Sequence, residues 1–255
     1  WTLAAVGEAN GTRDVFIRDR VTGTNERVSL SSAGAQANDY SAYPSAVSAK
    51  GRYVAFTSFA TNLVPGDTNG EYDIFVRDRQ SAKTQRVSVS SRGTQANGFS
   101  EFTSISGNGL VVAFSSAAGN LVTGDTNAEY DIFVRDLRTS TTQRVSVDSR
   151  GLQSNGFSNF PALSFGGRDV AFMSSASNLV PDDANEVSDI FRHNRANGVT
   201  RLASRGFSGF PGDNNSGSLS ITADGQIVAF ASLASDLVPK DTNTEGDVFL
   251  RIFTP

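Results

Sequence analysis

The sequence has no cysteine, which excludes disulfides, zinc–thiolate sites and thiol nucleophiles. It has one histidine, His193, so a Ser-His-Asp triad has a single place to find its base and a multi-histidine metal site has none. Positive charge is not in surplus: 22 Lys and Arg stand against 26 Asp and Glu, a formal net charge of −4. Without a basic excess the chain lacks the phosphate-contact term on which nucleic-acid affinity rests, so nucleic acid is not an expected partner. No apolar run nears the ~20 residues a membrane-spanning helix needs, and no segment repeats its apolar residues at helical spacing. The sequence begins at Trp1 rather than Met, as in a mature exported product or an excised piece. With the absence of cysteine, this gives an expected extracellular or periplasmic setting.

Repetition is abundant. Asp followed by Val or Ile and then Phe occurs at Asp14, Asp73, Asp131, Asp189 and Asp247, at intervals of 59, 58, 58 and 58 residues. A constant period of this length marks a repeat architecture. Within one unit, four short runs have β character: PSAVS (44 to 48), YVAFTS (53 to 58), DIFVRD (73 to 78) and QRVSV (85 to 89). They are rich in β-branched and aromatic residues and bounded by Gly, Asn, Asp and Pro. Runs such as Val54-Ala55-Phe56 and Ile74-Phe75-Val76 are apolar throughout, as in strands covered on both faces. The expectation is one all-β domain over residues 1–255, a β-propeller of four-stranded blades. Five blades are expected. Three are whole, between about Tyr43 and Ser204, and the terminal two are incomplete, with TLAAV (2 to 6) as a substitute strand in the first. A piece of a larger propeller is the alternative. Phe75, Phe133, Phe191 and Phe249 should occupy equivalent buried positions.

The order Ser-x-x-Gly, Val-Ala-Phe-x-Ser, Asp-Ile-Phe-Val-Arg-Asp, Gln-Arg-Val-Ser resembles the TolB-type β-propeller repeat, with ITADGQIVAFAS from Ile221 as the nearest local match. The likeness runs over nearly the whole chain, although the repeat is longer than the family's. It implies a propeller of the kind that serves as a protein-interaction platform, as a gating domain of peptidases and occasionally as an enzyme.

Alternating strand direction places the loop entering strand one and the loop entering strand three on one face, and these are the two long loops. The loop before strand three carries Glu8, Asn10 and Asp14; Asp67, Asn69, Glu71 and Asp73; Asp125, Asn127, Glu129 and Asp131; Asp183, Asn185 and Asp189; and Asp241, Asn243, Glu245 and Asp247. Oxygen donors at alternate positions match the first half of a calcium loop. The twelfth-position Glu is missing, and Val187 stands where other copies have Glu, which would make the Asp183–Asp189 loop the weakest. The competing reading is that these residues make Asx turns and bond backbone amides before strand three. The other long loop offers Gln36 and Asn38, Gln95 and Asn97, and Gln153 and Asn155 as candidate ligand-binding amides. Beside them lie the aromatic pairs Tyr40/Tyr43, Phe99/Phe102, Phe157/Phe160 and Phe207/Phe210. Amides beside rings suit a multivalent lectin, whereas turn dipeptides and blade-sealing rings suit architecture. Arg27, Arg86, Arg144 and Arg201 read as structural partners of the strand-three acids, and His193 as a surface residue of its strand.

An enzyme would need a site that breaks the repeat, such as two differently tuned carboxylates for a glycoside hydrolase or lyase. Glu101 and Asp213 do not repeat, but no companion pattern accompanies them. The sequence therefore points to a non-enzymatic binding module that engages a protein or a surface glycan through its long-loop face, with calcium as a candidate stabiliser.

Overall fold

The computed structural model describes residues 10–243 and 245–254, and every regular element among them is a β-strand. The first sheet pairs β1 (Phe16–Arg18) with β2 (Asn25–Arg27). Three four-stranded sheets follow. The second contains β3 (Ser41–Val47), β4 (Tyr53–Ser58), β5 (Asp73–Asp78) and β6 (Lys83–Arg86), and the third β7 (Ser100–Ile105), β8 (Val111–Ser116), β9 (Asp131–Asp136) and β10 (Thr141–Arg144). The fourth contains β11 (Ser158–Leu163), β12 (Asp169–Ser174), β13 (Asp189–Asn194) and β14 (Val199–Leu202). The fifth has three strands, β15 (Ser216–Ile221), β16 (Ile227–Ser232) and β17 (Asp247–Ile252). Every pairing is antiparallel between chain neighbours, and this is the β-propeller blade.

One register recurs in each blade because the same apolar residues must face the same neighbours. Phe56 pairs with Phe75, Phe114 with Phe133, Phe172 with Phe191 and Phe230 with Phe249. The first three ring pairs stack with centroids 5.9 Å apart. Each aromatic face packs on the aliphatic face of the preceding sheet: Phe114 and Phe133 share a core with Ala55, Ile74, Val76 and Val87. Phe172 and Phe191 meet Ala113, Ile132, Val134 and Val145 in the same way. The first strands β3, β7, β11 and β15 approach one another and form the inner layer, where the Leu163 amide donates to Ser104 Oγ at 3.1 Å.

Strands two and three fall where the apolar runs place them. Strand four lies two residues earlier than expected, at Lys83–Arg86, because Val87-Ser88-Val89 leaves the sheet and Val89 instead bridges Gln95. Strand one reaches back to Ser41 and carries a bulge, repeated between Glu101/Ser104, Asn159/Ala162 and Gly217/Ser220. The bulge turns Phe102, Phe160 and Ser218 to φ of 49°, 56° and 48°. At Gly109, φ is +77° and an added Cβ would lie 2.1 Å from the Tyr53 ring, so the turn between β7 and β8 seats on the preceding blade only as glycine. TLAAV and Glu8 lie outside the described residues.

Phe75, Phe133 and Phe191 are fully buried, whereas Phe249 is only partly so. The fifth sheet has no neighbour on its aliphatic side among the described residues, and Val248, Leu250 and Ile252 are 77%, 68% and 67% exposed. The corresponding Ile74 and Val76 are closed off by the next blade. Phe133→Ala should destabilise the protein by about 3–5 kcal/mol through lost transfer and a cavity. Phe249→Ala should do markedly less damage. Denaturant unfolding of the two variants checks this, and equal losses would contradict the packing described.

Candidate functional site

The two long loops of each unit meet on one face. Their meeting point is the buried aspartate that opens strand three. Asp73 accepts hydrogen bonds from Ser88 Oγ, from Asn69 Nδ2 at 3.0 Å and from Arg86 Nη1 at 3.1 Å. Ser88 Oγ in turn accepts the Ile74 amide at 3.1 Å. Asp131 is held the same way by Ser146 (2.5 Å), Ser154 (2.8 Å), Gln153 (3.1 Å), Asn127 (3.3 Å) and Arg144 (3.4 Å). Asp14 accepts from Ser29 Oγ at 2.5 Å and Gln36 Nε2 at 2.8 Å. Asp247 receives Asn243 Nδ2 at 2.9 Å. The serines recur fifteen residues after Asp14, Asp73, Asp131 and Asp189, a spacing visible in the sequence.

In the second and third blades the cation among the acids is a guanidinium. Arg86 Nη1 lies 3.0 Å from Asp67 and 3.1 Å from Asp73, and Arg144 Nη1 lies 3.3 Å from Asp125 and 3.4 Å from Asp131. Asn69 and Asn127 turn N–H groups toward the acids, while their oxygens cap the amides of Glu71 and Glu129 in Asx turns. The same turn recurs from Asn185 to Val187 and from Asn243 to Glu245. Glu129 and Glu245 are exposed, as is Asn243. Among the described residues no group of three acids or histidines is assembled for a metal. Burial is the main cause that pushes the Asp67, Asp73 and Asp125 carboxyls up.

The fourth blade departs from this scheme. The residue in the place of Arg86 and Arg144 is Leu202, so Arg201 is one position out of register and does not join the strand-three acid, contrary to the expectation above. Pro211 stands where the other units have Gln95 and Gln153. Asp183 and Asp189 are therefore buried together with no guanidinium between them, and burial first, then mutual repulsion in the case of Asp183, raises each to about 6. His193 is also buried rather than on the surface. It takes the place of Arg77 and Arg135, and its Nδ1 lies 2.9 Å from Thr200 Oγ1. Thr200 donates its one proton to the Val147 carbonyl at 2.5 Å, so Nδ1–H is the donor to Thr200. Burial lowers His193 to about 4, and the ring is neutral at pH 7.

The candidate amides face the scaffold. Gln95 Nε2 donates to Asp67 at 3.2 Å and Gln153 Nε2 to Asp125 at 2.9 Å. Asn38 and Asn155 are joined to Thr61 and Ser177 of the next loop, whereas Asn97 is exposed and its backbone N–H donates to Asn120 Oδ1 at 3.1 Å. Each long loop thus ties one blade to the next, and aromatic rings are among the groups left toward solvent. Tyr40, Phe59 and Phe99 surround Tyr72 with centroids 6.3, 5.1 and 6.1 Å from its ring. Phe102 packs on Phe160 at 4.3 Å. Phe99, Phe160, Phe207 and Phe210 are exposed. Glu101 sits beside Phe102 on the bulge, and burial raises its carboxyl.

No family model and no curated protein matches the sequence. Solved structures match the fold. TolB from Acinetobacter baumannii is 17% identical with a TM-score of 0.53, over 95% of this chain and 49% of that one. Porphyromonas gingivalis dipeptidyl peptidase 4 is 13% identical with a TM-score of 0.54, over 93% of this chain and 34% of that one. An oligogalacturonate lyase in complex with manganese is 10% identical with a TM-score of 0.52, over 93% of this chain and 56% of that one. The chain thus spans about half the length of the TolB it matches. These likenesses establish the TolB-like propeller fold.

The Asp183/Asp189 pair generates a pH signature. Its folded values of about 6 lie above the unfolded aspartate value of about 3.9, so the pair favours the folded state below pH ~4 and that contribution is lost as pH rises through 6. Asp183→Asn should stabilise the protein at pH 7.5 by on the order of 1–3 kcal/mol, with the gain vanishing near pH 4. Denaturant titrations at the two pH values measure it, and a variant no more stable than wild type at pH 7.5 defeats it. Repeating the pH 7.5 titration with 1 mM calcium and with chelator tests the calcium expectation on the same samples.

Proposed function

We propose that this propeller is a non-enzymatic binding module whose long-loop face engages a protein partner in an extracellular or periplasmic setting. The observation that carries the reading is the pair Phe102 and Phe160, packed ring to ring on the inner strands with φ of 49° and 56°. Bulky residues held at positive φ cost of order 1–3 kcal/mol each and cluster at functional sites. Around them the face offers exposed rings on loops held rigid by the aspartate clamps, which is the make-up of a protein-binding hot spot. Among the described residues no helix is long and apolar enough to cross a membrane.

A glycan partner is the second reading, favoured by the same rings. It has less polar support, because Gln95, Gln153, Asn38 and Asn155, which would specify sugar hydroxyls, are bonded within the scaffold. The enzyme alternative finds its best support in Asp183 and Asp189, but both rise to about the same value rather than apart, and the adjacent 740 Å³ cleft is lined by Asp182, Arg201, Arg205 and Arg251 instead.

Screening the immobilised chain against protein, peptide and glycan panels should yield a peptide or protein ligand. Phe99→Ser and Phe160→Ser should then weaken it at least tenfold, or about 1.4 kcal/mol. Gln153→Ala should instead lower Tm and leave affinity nearly unchanged. Ring variants that bind normally would remove the face from the reading. Turnover of glycosidase or lyase substrates that is abolished by one carboxylate substitution would overturn the non-enzymatic assignment.

A further inference from the structure

A second departure of the fourth blade lies on the opposite, short-turn side of the molecule. On the face that packs toward the next blade, strand two opens with Tyr53, Val111 and Ile227 in the second, third and fifth sheets, but with Asp169 in the fourth. The diagonal neighbour on the same face of strand three, two residues before the paired position, is Val76, Val134 and Leu250 in those sheets, but Arg192 in the fourth. An apolar pair has become an ion pair. Asp169 is fully buried and Arg192 is 7% exposed. Arg192 Nη2 donates to Asp169 Oδ1 at 2.7 Å, Asn194 Nδ2 donates to the same oxygen at 2.7 Å, and Arg168 Nε donates to Oδ2 at 2.9 Å. A buried ion pair in place of well-packed aliphatic residues is rarely a gain in stability, which directs attention to what else it does.

Arg192, Asn194 and Arg168, the three donors to Asp169, line a 280 Å³ cleft between the fourth and fifth sheets together with Arg201, Asn197 and Gln226. Three guanidiniums line it and, among the described residues, no carboxylate does; Asp169 behind them has both oxygens engaged, and Asp224 acts on Arg192 through its charge. Arg192 Nε is buried with no hydrogen-bond partner, and the guanidinium is fixed by the Phe253 ring, 4.8 Å from its centroid. Arg201 faces this cleft where Gln85 and Gln143 stand in the preceding blades, and among the described residues it makes no ion pair. Burial first, and then the charges of Arg201 and Arg168, hold Arg192 below the usual arginine range despite Asp169. An anion in the cleft would relieve that repulsion. A fork of pre-positioned guanidiniums is the chemistry that recognises planar or tetrahedral oxyanions.

We propose that this interblade cleft binds a small oxyanion, a carboxylate or phosphate group, through Arg168, Arg192 and Arg201. The volume suits a ligand of a few heavy atoms, at the low end of small-molecule sites. The site breaks the repeat, as a dedicated site should, and shares Arg201 with the larger 740 Å³ cleft.

Calorimetric titration of the full chain with sodium phosphate and with sodium succinate, each against sodium chloride at matched ionic strength, tests the site. Saturable binding with Kd at or below about 1 mM is expected for at least one of them. Phosphate alone or succinate alone upholds the proposal and identifies the preferred group. Arg201→Gln restores the residue of the preceding blades at an exposed position and should keep Tm while weakening binding at least tenfold. The double variant Asp169→Val with Arg192→Val restores the apolar pair of the third blade; it should fold with Tm equal to or above wild type and lose binding. Heats no greater than the chloride control, or undiminished binding in Arg201→Gln, overturn the proposal.

Discussion

The desolvated carboxylate at the start of strand three is the constraint from which most of this structure follows. A buried charge must be satisfied on all sides, and hydrogen bonds to it are worth about 1.5–3 kcal/mol each when made. Asp73 draws its partners from three places: Asn69 in the loop before it, Arg86 at the end of strand four, and Ser88 just beyond. Ser88 leaves the sheet to reach the acid, and this is why strand four ends at Arg86 and Val89 folds back on Gln95. The returning loop then locks into the next blade through Asn97 and Asn120. One acid thus fixes two long loops and the passage between blades. Loops with so little freedom can hold Tyr72 and Phe99, beside Phe102 and Phe160 on the inner strands, in one arrangement at low entropic cost to a partner.

The same dependence explains why the changes in the fourth blade come together. Loss of the guanidinium at Leu202 accompanies loss of the amide at Pro211, since both served the Asp67-type carboxylate. What remains is an acid pair whose ionisation is resisted by burial. At the other end of the blade the exchange runs the opposite way, and arginines outnumber the acid they accompany. Positive and negative departures are therefore separated along one sheet. Architecture repeated elsewhere in the chain supplies an internal reference for both, because the second and third blades show the arrangement that packing alone prefers.

Strands two and three were legible to the residue because they are buried on both faces, and such strands announce themselves as unbroken β-branched and aromatic runs. Strand four was misplaced because its residues, Lys83-Thr84-Gln85-Arg86, are polar and its end is set by a side chain fifteen positions from Asp73. The acidic loop was ambiguous for a chemical reason: a ring of carboxylate and amide oxygens suits calcium and a guanidinium equally, and the arginine that supplies the charge arrives from strand four. Arg201 illustrates the limit of pattern matching. It follows Thr200 as Arg86 follows Gln85, yet the ladder with strand three pairs it with Arg192 and leaves Leu202 facing Phe191. A shift of one residue in a strand moves a side chain to the other face, so only the register could separate the two. Glu101 and the Phe102–Phe160 contact depend on bulges that no local propensity records.

Because each sheet touches chiefly its neighbours, stability in this chain is a sum of blade and interface terms, as in other repeat proteins. The interior interfaces carry the same aromatic-on-aliphatic packing, with Phe75, Phe133 and Phe191 buried to the same degree. Among the described residues the fifth sheet has only one such interface, and its aliphatic side, Val248, Leu250 and Ile252, makes no comparable contact. A side chain of that size is worth about 1.5–3 kcal/mol on burial, so the fifth sheet lacks several kcal/mol that each middle blade possesses. Opening should therefore begin at the fifth sheet, while the second and third blades, with full clamps and covered faces, hold longest. The proposed oxyanion cleft lies at the junction between the fifth sheet and the rest. Ligand held there would bridge Arg192 and Arg201 of the fourth blade to Gln226 of the fifth, and would strengthen the interface that the packing leaves weakest.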